Sequence, residues 1–356
     1  MKTLENKTVY ILVTGAKKCF IVLGLIKEFI GEGAGVYTFF TEMAKKMINM
    51  KDFEIRGNNI SLDYSKNGDE LPLEDIVLIV PSTFNTLNKI AEGIADNYPL
   101  TVVASSIGKR KKVIFAPAMN RSLWEHPIVP KSLETLQQWG CQIVWPEITP
   151  DKVTMAPLEK IADTTYNCFL KIRYESERLP IDENYLRAVG EHFSEFRSVG
   201  ESLLENDLVK GSAGFMSKKI KEGILVSATG SSVGSLTKND VSLVINSDDK
   251  KIKWKGEKHP SSEMPIISEI YKTLPEAKAI IHTHSRKLTY SPTMQKYISS
   301  EYLRYGKFGE LNKIIDIIKK NEGFGIMKLH GELCIGDNLY NTFQKLKEKI
   351  ENVKKE

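Results

Sequence analysis

Two rhythms of apolar and polar positions divide this chain. The first half carries short apolar runs at Val9-Tyr10-Ile11-Leu12-Val13, Val36-Tyr37-Thr38-Phe39-Phe40, Ile76-Val77-Leu78-Ile79-Val80, Val113-Ile114-Phe115-Ala116 and Gln142-Ile143-Val144-Trp145. Such nearly unbroken runs predict strands buried on both faces, as in a parallel sheet. Between them the spacing turns helical. Apolar residues recur at helical intervals from Phe20 to Ile30 and stop at Gly31, Gly33 and Gly35, and Thr41 is placed to cap a helix opened by Glu42-Met43-Ala44. Strands alternating with helices predict a doubly wound α/β domain on a parallel sheet. A helix is expected to run on from Cys168 to Tyr174. The polar, proline-marked stretch Glu175 to Asp182 then sets a domain boundary at residue 179.

The second half opens with an amphipathic helix from Tyr185 to Leu208, followed by strands at Ile224–Ser227 and Val241–Ile245 and a helix reaching Tyr271. Next comes the β-branched run Ala279-Ile280-Ile281-His282-Thr283-His284-Ser285. Alternate residues of a strand share a face, so His282 and His284 would present their rings side by side, like half of a divalent-metal site.

Composition changes this picture little. A length of 356 residues exceeds one ordinary core, which predicts two domains, 1–179 and 180–356. Basic and acidic residues nearly balance, 50 against 45. The one dense basic run, Lys109-Arg110-Lys111-Lys112, precedes an apolar strand and reads as a solvated turn, which argues against nucleic acid as a partner. Four cysteines without C-x-x-C spacing suggest neither a disulfide framework nor a thiolate zinc cluster. No signal-peptide pattern and no bilayer-length apolar run is present, so a cytoplasmic protein acting on small molecules, with no membrane partner, is expected.

In a doubly wound sheet ligands sit beyond the carboxyl ends of the strands, where helix N-termini offer N–H groups to anions. Thr14-Gly15, Pro81 to Thr86 and Pro117-Ala118-Met119-Asn120 are the loops at those ends. Pro81-Ser82-Thr83-Phe84-Asn85-Thr86, the stretch Gly93-Ile94-Ala95-Asp96-Asn97, Pro117-Ala118-Met119-Asn120 and Trp124 resemble the flavoprotein family that includes phosphopantothenoylcysteine decarboxylase. The resemblance implies FMN as cofactor, held by Gly15, Thr41, Ser82, Thr83, Asn85 and Thr86, with Asn120 contacting a substrate carboxylate. The decarboxylases carry a catalytic histidine where this chain has Asn67, and a cysteine-bearing clamp where it has Thr154-Met155-Ala156-Pro157. Asparagine cannot relay a proton as imidazole does. Flavin binding is therefore expected to carry over better than decarboxylation.

Four of the six histidines, His259, His282, His284 and His330, lie in the second half beyond its first helix. Three protein nitrogens leave a catalytic zinc one open position for a substrate oxygen, and Glu263 could take that position or act as base. From Gly214 onward the order Gly-x-x-Ser, Thr229-Gly230, Pro260-Ser261-Ser262-Glu263, His282-x-His284 and His330-Gly331 resembles the class II, zinc-dependent aldolases. The resemblance implies an α/β/α domain in which zinc (or another divalent metal), on His282, His284 and His330, stabilises an enediolate while Glu263 shuttles the proton. It also implies that Gly214, Thr229, Gly230, Ser261 and Ser262 bind substrate, chiefly its phosphate. Phe215 stands where the family has an asparagine. A tyrosine from a neighbouring subunit serves as acid in that family, and Tyr290, Tyr297, Tyr302 and Tyr305 are the available residues. The flavoprotein family forms trimers and the aldolases tetramers, so a homo-oligomer in which one domain has dropped its family symmetry is expected. The expected protein is a fused flavoprotein and aldolase. Its alternatives are a dehydratase or epimerase at the same metal, or a flavin module with an inactive aldolase scaffold.

Overall fold

The computed structural model describes residues 2–61, 63, 71–149, 152–247 and 251–354. It divides into two compact units, residues 1–170 and 171–356. In the first unit β1 (Thr8–Val13), β2 (Gly35–Phe40), β3 (Asn58–Ile60), β4 (Ile76–Ser82), β5 (Lys112–Pro117) and β6 (Gln142–Ile143) form a parallel sheet in the order β3-β2-β1-β4-β5-β6. The central strand shows why a run without polar interruption was needed. Val9, Ile11 and Val13 pack on one side with Val22, Leu25 and Phe29 of the helix Val22–Gly31. Tyr10 and Leu12 pack on the other with Leu87, Leu100 and Leu133, from three different helices. Burying both faces of a strand at roughly 1.5–3 kcal/mol per large apolar side chain leaves no tolerance for a polar residue. Strand order reverses between β1 and β4, which opens a crevice at their carboxyl ends.

Two expectations for this unit are corrected. The last strand stops at Ile143, although Val144 N still donates to the Phe115 carbonyl at 2.8 Å, and the chain goes on to a small antiparallel hairpin, β7 (Glu147–Ile148) with β8 (Val153–Thr154). The helix Leu158–Asn167 ends seven residues before Tyr174, with Cys168 as its C-cap.

In the second unit β9 (Glu175–Arg178), β10 (Phe215–Ile220), β11 (Gly223–Ser227), β12 (Val241–Ser247), β13 (Lys251–Lys255), β14 (Ala279–Thr283), β15 (Phe324–Met327) and β16 (Gly331–Gly336) form one sheet, ordered β15-β16-β14-β10-β11-β12-β13-β9. All its neighbours are antiparallel except β9, which joins β13 in parallel. That pairing places Glu175–Arg178 in the second unit, ahead of the expected cut at residue 179. The strand was read as a linker because an edge strand survives on backbone bonds and charges, here Glu177 with Lys251, and needs no apolar run. Helices cover both faces, giving the three layers expected. Glu183–Glu205 and Leu339–Lys354 bury Phe196 and Phe343 on one side, and Met264–Thr273 buries Ile267 and Ile270 on the other. No helix among the described residues is long and apolar enough to cross a membrane, and the four cysteines are unpaired.

The turn between β11 and β12 is pinned by Asp240. Its carboxylate accepts from Thr237 N (2.8 Å), Thr237 Oγ1 (2.6 Å) and Ser231 Oγ (2.7 Å), and Lys258 Nζ lies 2.5 Å away. Burial pushes this carboxyl up, but the Lys258 ammonium and the hydroxyls of Thr237 and Ser231 outweigh it and hold the group well below its ordinary 3.8. A carboxylate with a depressed folded value stabilises fully above its unfolded value and loses that contribution as pH falls through the folded one. Asp240→Asn is expected to cost about 1–3 kcal/mol at neutral pH. Its deficit against wild type should shrink as the pH drops below 3.8. Thermal melts of both proteins across that range check this, and a deficit that stays constant with pH refutes the electrostatic account.

Candidate functional site

The strand β14 delivers His282, and His284 follows one residue beyond its end. Two glycines let neighbouring strands press against it. A Cβ at Gly214 would sit 2.4 Å from the His282 carbonyl oxygen, and one at Gly331 would sit 2.1 Å from the Thr283 oxygen and 2.9 Å from His282 Cε1. Gly214 thus serves the packing of β14, a structural reason for a residue expected to bind substrate. Opposite the strand, Glu263 is the N-cap of Met264–Thr273 without capping it, so its side chain is free to turn toward the histidines. His330 arrives from the β15–β16 turn, where Leu329 holds φ 57°, a left-handed conformation costly for a branched residue.

These four side chains converge. One ligand atom from each of Glu263, His282, His284 and His330 lies within 4.8 Å of the others. Glu263 Oε1 is 3.4 Å from His282 Nε2 and 3.3 Å from His330 Nε2, and His282 Nε2 is 2.8 Å from His284 Nε2. A tetrahedral ion at roughly 2.0–2.1 Å from each ligand separates ligand atoms by about 3.3 Å. The two Glu263 separations match this and the His282–His284 pair is closer still. His282 Nδ1 donates to the Glu332 carbonyl at 2.7 Å, which leaves a lone pair on Nε2, aimed at His284. Two imidazole nitrogens facing each other with a carboxylate beside them form a donor set suited to a divalent cation. His282 is fully buried and Glu263 nearly so, while His284 opens to solvent. Burial pushes the Glu263 carboxyl up, but the imidazoles of His330 and His282 outweigh it and hold it well below the carboxylate range. Burial pushes His282 down, and Glu263 more than reverses this.

Around the cluster the expected substrate residues form one connected rim. Ser262 N donates to Thr229 Oγ1 (2.7 Å), Glu263 N donates to Ser261 Oγ (3.2 Å), and Ser262 Oγ accepts from the Tyr305 hydroxyl. Gly230 continues the same turn with φ 78°. Tyr305 also lines a recess of about 10 Å³ with Glu263 and His330. Of the four tyrosines considered, Tyr297 packs on Phe324 at 5.2 Å and is bracketed by Lys296 and Lys349. Phe215 backs the His282 ring at 5.2 Å. Sequence reading missed Tyr174 and Arg173, which grip this rim: Tyr174 donates to the Ser261 carbonyl at 2.8 Å, and Arg173 donates to the Tyr305 carbonyl. Both fell in the stretch expected to continue the preceding helix, which in fact stops at Asn167.

In the first unit Gly15, Thr41, Thr83, Asn85, Thr86 and Asn120 line one cavity of about 980 Å³. Ser82, also expected there, lies beneath it, fully buried, with no hydrogen-bond partner for its Oγ. Thr41 and Asn120 cap the helices Glu42–Met47 and Arg121–Trp124 through Ala44 N and Leu123 N. Thr83 heads Phe84–Ala91 without capping it, which leaves that helix's first N–H groups to a ligand anion. Gly15 approaches Met43 so closely that a Cβ would meet Met43 Cγ at 2.3 Å. These residues fit a flavin with a phosphate. Thr154 and Met155, which stand in place of the family's cysteine-bearing clamp, border the cavity, and Asn67 lies outside the described residues.

Fold and sites together define a fused pair of α/β domains, one flavoprotein-like and one class II aldolase-like. Residues 1–170 match the Flavoprotein family and residues 194–353 the Class II Aldolase and Adducin N-terminal domain, and the chain belongs to both families. The first unit is 29% identical over 168 residues to the Coenzyme A biosynthesis bifunctional protein CoaBC of Thermococcus kodakarensis, covering 45% of this chain and 41% of that protein. The chain thus spans about two fifths of the length of that relative. The second unit is 30% identical over 164 residues to the L-fuculose phosphate aldolase of Methanocaldococcus jannaschii, covering 43% of this chain and 88% of the aldolase. The FMN binding protein AtHal3 superposes with a TM-score of 0.41 and 23% identity over 45% of this chain and 95% of its own.

Proposed function

We propose that the second unit is a divalent-metal lyase that breaks or forms a carbon–carbon bond in a small phosphorylated, sugar-like substrate, and that the first unit binds FMN. One observation carries the lyase reading: Glu263, His282, His284 and His330 lie within 4.8 Å of one another, with His284 open to solvent. A zinc ion, or another divalent cation, on the three histidines would supply a Lewis acid for a substrate oxygen. Glu263, charged at neutral pH because His330 and His282 hold its carboxyl low, is suited to take a proton from the substrate. Thr229, Gly230, Ser261 and Ser262 would bind the phosphate, without the amide that Phe215 replaces. In the first unit Gly15, Thr41, Thr83, Asn85 and Thr86 would hold FMN and Asn120 a substrate carboxylate. L-fuculose phosphate aldolase, the relative of the second unit, supports the substrate class.

Tyr305 is the proton donor in this reading, since it shares a recess with Glu263 and its hydroxyl already meets Ser262. Tyr305→Phe is expected to lower turnover about 100-fold while bound metal stays unchanged. Steady-state rates with metal analysis check this, and undiminished turnover excludes Tyr305 as donor.

A dehydratase or epimerase is the second reading, resting on the same cluster of Glu263 with three histidines, since an enediolate held on a metal can lose water or invert a carbon as well as break a carbon–carbon bond. Product analysis on short sugar phosphates with zinc-loaded protein decides between them. Two fragments support the lyase, and a single dehydrated or inverted chain overturns it in favour of the second reading. For the first unit, a protein that stays colourless at the flavin bands after incubation with FMN and desalting rules out flavin binding.

A further inference from the structure

Glu332 is a carboxylate in an unexpected place. It sits inside the apolar strand Gly331–Gly336, fully buried, directly across from Thr283 in the β14–β16 register. Burying a carboxylate is costly unless donors surround it, and here they do. Oε2 accepts from Thr283 Oγ1 at 2.7 Å and from Ser285 N at 3.0 Å, and Oε1 accepts from Thr289 Oγ1 at 2.6 Å. Its own carbonyl accepts from His282 Nδ1 at 2.7 Å.

The location of these bonds gives them meaning. The ladder of β14 ends at Thr283, so sheet pairing fixes His282 but not His284. Thr283 and Ser285 flank His284, and one carboxylate oxygen holds both. Thr289 ties the same carboxylate to the far end of the helical turn Arg286–Thr289, whose backbone returns to Ser285 through Thr289 N at 2.9 Å. We propose that Glu332 is a positioning residue for the metal centre, its carboxylate extending the strand by one residue so that His284 faces the same point as His282. Outer partners of this kind set ligand orientation and commonly change metal affinity by 10–100-fold when removed. A leucine in this strand would satisfy the core equally well and leave the two hydroxyls and the Ser285 N–H without an acceptor.

This inference rests on reading the three histidines as metal ligands, and its test separates the two. Zinc affinity of the full chain is measured by competition with a chromophoric chelator, well below the melting temperature of each metal-free variant. Wild type is compared with Glu332→Leu and Glu332→Gln, the second of which keeps the shape and one acceptor oxygen. Glu332→Leu is expected to weaken zinc binding by about 10–100-fold, with Glu332→Gln between it and wild type. Should the leucine variant not fold, Glu332→Gln and Thr289→Val, each removing part of the clamp, are expected to weaken binding in its place. Wild-type affinity in every folded variant overturns the positioning role even if melting temperatures fall, because a merely structural glutamate moves stability alone. A wild-type chain that takes up no zinc overturns the metal reading itself, and the inference with it.

Discussion

Replacing His282 with alanine is expected to remove stoichiometric zinc from the protein, weakening binding by more than about 100-fold, the upper end of what an outer-sphere partner contributes. His282 is the most committed of the three imidazoles. It is fully buried, its Nδ1 proton is fixed on the Glu332 carbonyl, and its Nε2 lies within 3.4 Å of both His284 and Glu263. Its ring also packs against Phe215, so alanine leaves a cavity and costs about 2–5 kcal/mol of stability, as for other large buried side chains. Elemental analysis of purified protein, with a melt to establish folding, measures both effects. A folded alanine variant that keeps one zinc per chain would falsify the metal-ligand role of this residue.

The second large effect concerns the proton. Glu263→Gln keeps the shape of the side chain and removes its capacity to accept a proton, so turnover is expected to fall by about 10²–10⁴-fold. If the carboxylate acts as base, bound zinc should change little. If it is instead a permanent fourth ligand, the loss will show in zinc affinity. Measuring rate and metal content on the same preparation therefore assigns Glu263 to one role, and a variant with normal turnover has no place in either.

Much of this was legible before any coordinate. The strands of the first sheet were readable because both faces are buried, so Val9 to Val13 and Ile76 to Val80 could not contain polar residues. Loops at their carboxyl ends followed from the doubly wound order, and Gly15, Thr41, Thr83, Asn85, Thr86 and Asn120 do share one cavity. In the second unit the histidines were visible as a strand pair plus a distant partner. Glu332 was a polar residue interrupting an apolar strand, a signal that periodicity alone reads as noise. The segment Glu175 to Arg178 was misread for a related reason: a charged edge strand looks like a linker, because its bonds run through backbone atoms that every residue carries.

What the chain's residue order determined by itself is therefore local and chemical: which runs must be buried, where helices begin, and that imidazoles and a glutamate of suitable type and order are available. Only the tertiary structure decided which of them meet. Glu263, His282 and His330 come from different elements; β14 pairing with β16 brings the two histidines to one place, and the helix Met264–Thr273 sets Glu263 within 3.4 Å of both. It also decided that Tyr305 reaches the rim at Ser262 and that Glu332 clasps both neighbours of His284. Pattern constrains a residue's own environment, whereas a site is a set of distances between elements, and those are set by how the sheet pairs.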